Sequence, residues 1–225
     1  MEEIYLFPTC SGQIFKSKNS MTKKIISILN KLNYKTNILS LPNECCGLMY
    51  TNMGFPDIAE KKISSLQNKV KNKILLIENL SCYHEIKKQN LFWENILNPL
   101  DFIHSQLNNL DIIPLQEAGV IHINCSVTNE NLQNKMLEIA KRCLINVIIP
   151  EQLMCCGFAG SKGFTNEKLN INALRNFSEQ ISFNCQKGYT CLETCALGFN
   201  KHTDVYFTSI FQLLDSCSKK KNESL

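Results

Sequence analysis

Two hydrophobic rhythms alternate along this chain. Short apolar runs end near a cysteine or a proline, and longer stretches between them space apolar residues three and four apart. The runs EIYLFPTC (3–10), TNILSLP (36–42) and KILLIEN (73–79) have the length and composition of buried strands. Between them, Ile25, Ile26, Ile28, Leu29 and Leu32 line one face of a helix, and a second helical pattern runs from Ile58 to Val70. The same succession then returns. GVIHINC (119–125), INVIIP (145–150) and the more polar SFNCQKGYT (182–190) read as strands. Leu132, Met136, Ile139 and Ala140 mark a helix, as does the stretch from about Asn166 to Ile181. Apolar helices, PLDFIHSQL (99–107) and TSIFQLLDS (208–216), close the two series.

Each series therefore reads β-α-β-α-β-α, the signature of a small parallel sheet flanked by helices. The expected fold class is α/β, with two duplicated small parallel-sheet halves related by a pseudo-twofold axis. Pro114 and Gly119 punctuate the joining segment LDIIPLQEAG (110–119), which places the first repeat at 1–117 and the second at 118–225.

The cysteines fall at matching places in the two series. The first has Cys10, then Cys45-Cys46-Gly47 in ECCGLMYTNMGF, then Cys82 in SCYHEI. The second has Cys125, then Cys155-Cys156-Gly157 in LMCCGFAGSKGF, then Cys195 in TCALGF, with Cys191 four residues before it. Each lies just past an expected strand and before an expected helix. In a parallel sheet those junctions share the carboxyl edge, where α/β proteins bind ligands. Helix N-termini there favour thiolate over thiol, and the glycine lets the backbone turn sharply. Four thiolates on such turns suit an iron–sulfur cluster or a structural zinc.

Other residues read more plainly. Cys143, Cys185 and Cys217 are expected to be small buried hydrophobes. His122, among isoleucines, is an inward polar residue, a donor to a coordinated sulfur or a ligand, and His84 beside Cys82 poses the same choice. His104 and His202 read as structural or solvated, and Phe55 and Phe164 as core residues covering each site. The fuller glycine pattern and the extra Cys191 favour tighter metal binding in the second half.

Composition narrows the field. The chain has 12 cysteines, 44% hydrophobic and 20% charged residues, and a net charge of +4. That is a globular composition, and clustered cysteines in a reducing compartment mean metal or redox chemistry more often than disulfides. No run is long enough for a membrane span, and the N-terminus lacks the features of a signal peptide. The expected location is the cytoplasm, with the inner membrane reached through partners. Lys219, Lys220 and Lys221 read as a frayed tail, and nothing resembles a nucleic-acid platform.

The doubled C-xₙ-CCG-xₙ-C pattern, from PTCSGQIF to SIFQLL, resembles the cysteine-rich CCG domain. That domain occurs in heterodisulfide reductase, the glycolate oxidase iron–sulfur subunit, the lactate-utilisation iron–sulfur protein and the C-terminal part of FAD-linked D-lactate dehydrogenases. CCGFAGSKGF and TCALGF look closest to the last of these. The resemblance implies one or two [4Fe–4S] clusters, with zinc the alternative at one site. It implies Cys10, Cys45, Cys46 and Cys82 as one ligand set, and Cys125, Cys155, Cys156 and Cys195 as the other, with Cys191 a further candidate. It also implies electron transfer in the oxidation of a 2-hydroxy acid such as lactate or glycolate, with no side chain here acting as acid or base.

The chain departs from the fuller family pattern, which ends in CxxC: Asn79 and Leu192 stand where the extra cysteine would fall. That weakens a second reading, a thiol–disulfide reductase like heterodisulfide reductase. A third is a zinc-stabilised assembly subunit without catalysis. There is no ferredoxin-type cysteine run, Gly-rich βα turn or flavin-sized segment. The expected partners are therefore a flavin-containing oxidase subunit and a ferredoxin-type iron–sulfur protein.

Overall fold

A computed structural model describes residues 2–14, 17, 19–39, 44–70, 73–89, 93–151, 155–158, 162–181 and 185–221. The chain divides into two compact units, Met1–Gln106 and Leu107–Leu225. It is an α/β protein with two four-stranded parallel sheets, one in each unit.

The first unit runs β1 (Glu2–Phe7), α1 (Cys10–Ile14), α2 (Met21–Lys31), β2 (Tyr34–Ile38), α3 (Leu48–Asn52), α4 (Pro56–Val70), β3 (Leu75–Ile77), α5 (Leu80–Gln89), β4 (Ile96–Leu97) and α6 (Pro99–Ser105). Its strands lie in the order β2-β1-β3-β4. All three residues of β3 are buried, as a central parallel strand covered on both faces requires. On α4 the buried residues Ala59, Ile63, Leu66 and Val70 recur at helical spacing, and Ile25, Ile28 and Leu29 form the corresponding stripe of α2. Asn98 caps α6, its Oδ1 accepting the Asp101 N–H at 2.8 Å, with Pro99 at the first helical position.

The second unit opens with a 3₁₀ turn (Leu107–Asn109). It continues as β5 (Leu110–Ile112), β6 (Leu115–His122), α7 (Cys125–Asn129), α8 (Gln133–Cys143), β7 (Leu144–Ile148), α9 (Lys162–Thr165), α10 (Glu167–Leu174), β8 (Lys187–Thr190), α11 (Glu193–His202), β9 (Tyr206–Ser209), α12 (Ile210–Cys217) and β10 (Ser218–Lys220). Its sheet order, β7-β6-β8-β9, repeats that of the first unit. An aromatic cluster fills its core. Phe199 stacks on Phe207 with ring centroids 3.9 Å apart, and Phe177 packs edge-on against Phe199 at 5.1 Å. Phe199 is fully buried, so Phe199→Ala is expected to destabilise the unit by about 3–5 kcal/mol, read from chemical denaturation of the metal-free protein.

The hydropathy pattern and the structure differ at definite places. Each unit has a fourth strand that the pattern does not announce: β4 is two residues long, and β9 sits in a run that reads as the start of a helix. At that start Ser209 is the cap, its Oγ accepting the Gln212 N–H at 3.0 Å, so Thr208 and Ser209 belong to the strand. The expected frayed tail is also corrected. Lys219 and Lys220 lie in β10, which pairs antiparallel with β5, and Lys221 Nζ donates to the Asn108 carbonyl at 3.1 Å. Of the expected strands, residues 40–42 and 182–184 fall outside the described residues, as does Gly160.

Candidate metal centre

The strand order of each sheet places a topological switch beside its first strand: β1 lies between β2 and β3, and β6 between β7 and β8. Loops leaving the carboxyl ends there part in opposite directions and open a crevice. Into it the first unit sends Cys10 after β1, Cys45 and Cys46 after β2, and Cys82 from the first turn of α5 after β3. The second unit sends Cys125, Cys155, Cys156 and Cys195 from the matching junctions.

In each unit the four sulfurs form a hydrogen-bonded series. Cys10 contacts Cys45, Cys45 contacts Cys46, and Cys46 contacts Cys82. The second series runs Cys125, Cys155, Cys156, Cys195, with Cys156 Sγ 3.0 Å from Cys195 Sγ. Both run from surface to interior. Cys10 and Cys125 are exposed, while Cys46 and Cys156 are each only 3% exposed and Cys82 and Cys195 are buried with them.

The charge settles on one sulfur of each pair. Hydrogen bonds from the Cys10 thiol, then from Cys46 and the Gly47 N–H at 3.4 Å, outweigh burial and lower the Cys45 thiol to about 2. Cys155 is likewise lowered to about 2 by Cys125 first, then Cys156 and the Gly157 N–H at 3.3 Å. The donating thiols move the other way. Cys10 and Cys125 are raised by those same bonds and by burial, as are Cys46 and Cys156. Cys195 is lowered to about 6, by the Cys156 hydrogen bond first and the His122 imidazole next, against burial.

The CCG glycine has two reasons to be glycine. Gly47 and Gly157 adopt φ of +84° and +73°, which side chains resist. A Cβ on Gly157 would stand 2.3 Å from the Leu169 carbonyl of α10, and one on Gly47 2.9 Å from Ala59 of α4. Each turn thus lies directly against the second helix after it. In the second unit Asn170 of α10, itself buried, donates to the Cys156 carbonyl and fills the space that Gly198 leaves on α11.

Cys191, the ninth candidate, stands outside the series. Its sulfur meets Met136 Sδ at 3.6 Å, and burial raises its thiol. The expectation of tighter binding in the second half therefore loses one of its two supports. The first-unit residue after β3 that corresponds to Cys191 is Glu78. Its buried carboxylate accepts the Thr9 N–H at 3.0 Å and the Thr22 hydroxyl, closing the loop that carries Cys10. Asn79, in place of a motif cysteine, caps α5 through the Ser81 N–H at 2.9 Å.

His122 is buried at the end of β6 and contacts the second series, whereas His84 sits half-buried on α5. His104 lies on α6, and His202 lies 3.4 Å from Glu167. Cys143, Cys185 and Cys217 are buried as expected, with Cys143 and Cys217 hydrogen-bonded to each other. Phe55 and Phe164 are not core residues: they are 49% and 61% exposed, Phe55 standing just before α4 and Phe164 on the short helix α9. Phe158, buried and edge-on to Phe164 at 4.9 Å, covers the second turn instead.

The donor set fits a thiolate-bound metal group. Each series holds four sulfurs, the first cysteine of its CCG turn is held below the usual thiol range by its neighbours, and a backbone N–H is directed at that sulfur. Among the described residues no three Cys, His, Asp or Glu side chains converge as they would around a single ion.

Fold and site together define a duplicated α/β protein with a four-cysteine crevice in each half. The chain belongs to the cysteine-rich CCG domain family, whose model matches residues 4–87 and again 120–196. That membership points to iron–sulfur or metal binding. No curated protein matches the chain. Among solved structures it is similar to an aspartate racemase homologue from Pyrococcus horikoshii, with 11% identity over 96% of each chain and a TM-score of 0.34. Resemblance at that level bears on no residue of the site. Among the described residues, no helix is long and apolar enough to cross a membrane.

Proposed function

We propose that the chain is the iron–sulfur electron-transfer subunit of a flavin-linked oxidoreductase acting on a 2-hydroxy acid such as lactate or glycolate. Cys10, Cys45, Cys46 and Cys82 would hold one [4Fe–4S] cluster, and Cys125, Cys155, Cys156 and Cys195 a second. The observation that carries this reading is the matched pair of sulfur series at the carboxyl edges of two like sheets.

When bound, such a group supplies one-electron chemistry; the chain's own residues do the rest. Cys45 and Cys155 present sulfurs held as thiolates by hydrogen bonds from their neighbours, so no proton has to leave these two on ligation. The Gly47 and Gly157 N–H groups hold those sulfurs in place. Cys46, Cys82, Cys156 and Cys195 seal the inner side from water, which tunes potential through burial. A flavin-containing partner would carry the hydroxy-acid chemistry and a ferredoxin-type protein would take the electrons onward.

The test is anaerobic reconstitution followed by iron, acid-labile sulfide and zinc analysis. The expected result is iron with equimolar sulfide and a broad absorption band near ~400 nm that bleaches on reduction, as thiolate-held iron–sulfur centres show. A colourless zinc protein would give the chain a structural role instead. Turnover of a disulfide substrate by the reconstituted chain would replace the electron-transfer role with thiol–disulfide reduction.

A further inference from the structure

We infer that Asn170 is a positioning residue of the second site: its side-chain amide holds the Cys156 carbonyl and so aims the Gly157 N–H at the Cys155 sulfur. The inference rests on the function proposed above and adds a difference between the two sites.

One peptide unit joins the two contacts. The Cys156 C=O and the Gly157 N–H belong to the same planar trans group and point in opposite directions. Asn170 Nδ2 donates to the carbonyl end, and the N–H end donates to Cys155 Sγ at 3.3 Å. A swing of that group about its flanking bonds would turn the N–H off the sulfur. Glycine, at a φ of +73° here, resists such a swing least of all residues. A donor fixed at the carbonyl end stops it. Donation to the carbonyl also polarises the peptide, which makes its N–H a better donor to an anionic sulfur.

The surroundings set which way the Asn170 amide faces. Turned over, its Oδ1 would meet the Cys156 carbonyl oxygen, and two acceptors repel. Asn170 is 1% exposed, and among the described residues its Oδ1 has no hydrogen-bond partner. An apolar residue of the same size would leave the Cys156 carbonyl bare instead, so on this count the asparagine adds little stability. What it adds is direction. Gly198 of α11 makes room for it: a Cβ there would stand 2.8 Å from Nδ2 and 3.0 Å from Oδ1.

At the first site the counterpart cannot donate. The Gly47 N–H reaches Cys45 Sγ at 3.4 Å, but the α4 residue lying against Gly47 is Ala59, whose side chain has no donor. An N–H held on a ligating sulfur stabilises the more negative, reduced state of an iron–sulfur group. Loosening that N–H should make reduction harder at the second site alone.

The test compares the wild-type chain with Asn170→Leu, which keeps the volume and loses the donor, and Gly198→Ala, which keeps Asn170 but pushes its amide off the carbonyl. Each is reconstituted anaerobically and titrated by EPR-monitored redox potentiometry. The second-site signal is the one absent from Cys156→Ser, and the first-site signal is the internal control. Both variants are expected to shift the one-electron reduction equilibrium of the second site about threefold toward the oxidised form, or about 28 mV, with the first-site potential unchanged. A wild-type second-site potential in the loaded Asn170→Leu chain overturns the inference and leaves the proposed function standing. If that variant does not load the second site, the potential of Gly198→Ala decides in the same way. If neither loads it, thermal melts of the metal-free proteins decide. Melting at the wild-type temperature supports the positioning role, and a lowered temperature makes Asn170 a structural residue only. A wild-type chain that binds no iron and sulfide overturns the proposed function, and this inference with it.

Discussion

Serine at both Cys46 and Cys156 is expected to leave a chain that takes up almost no iron under anaerobic reconstitution, and serine at either one alone should remove about half. These two are the most enclosed sulfurs of the CCG turns, each linking the cysteine before it to the buried cysteine on α5 or α11. A serine hydroxyl is far less acidic than a thiol and a harder ligand, so at neutral pH it does not replace a thiolate. Equal losses are expected because the two series match in order, burial and backbone N–H support, and because Cys191 joins neither. The measurement is iron and sulfide per chain for the two single variants and the double. Loss confined to one single variant would mean that one series holds the metal and the other does not.

Gly157→Ala is expected to be the most damaging small substitution in the second unit. The alanine must adopt a φ of +73°, at a cost of roughly 1–2 kcal/mol. Its Cβ also meets the Leu169 carbonyl at 2.3 Å and Ala173 at 2.7 Å, so α10 must move away from the turn. The sum should reach about 3 kcal/mol or more, and for a unit of this size should lower its melting temperature by about 10 °C or more. Gly54 supplies the control. It has a φ of +85° but nothing within 4 Å of an added Cβ, so Gly54→Ala should cost only the backbone term, about 1–2 kcal/mol. Thermal melts of the metal-free proteins read both. Similar costs for the two changes would show that contact with α10 adds nothing to the backbone strain.

The repeat was legible because two things recur in register, the strand-helix alternation and the placement of Cys10 and Cys125 at strand ends. The fourth strands were not. A two-residue strand such as β4 has no period to detect, and the Thr208-Ser209 end of β9 merges with an apolar helix. Strand β10 was hidden by its lysines, since an edge strand carrying charge reads as solvated tail. At the site, the spacing pointed to eight cysteines that the structure does bring together in two series. It could not separate Cys191 from them, because a cysteine just after a strand turns toward the crevice or the core according to one residue of register. The polar framework was the part most out of reach. Glu78, Thr190 and Asn170 act through partners at least 14 residues away in sequence, and no local pattern marks them. Gly198, three residues past Cys195, was the single local hint, since it makes room for Asn170.

Strands β5 and β10 have a consequence for how such a chain can come about. They are the first and last strands of the second unit, and they lie side by side, Ile112 opposite Ser218 and Leu110 opposite Lys220. Paired strands are about 5 Å apart, so this unit enters and leaves at nearly the same point. A module whose ends meet can be spliced into a loop of another protein without stretching either one. Gene fusion can therefore move it as a cassette, carrying its four-cysteine crevice intact at the far edge of the sheet.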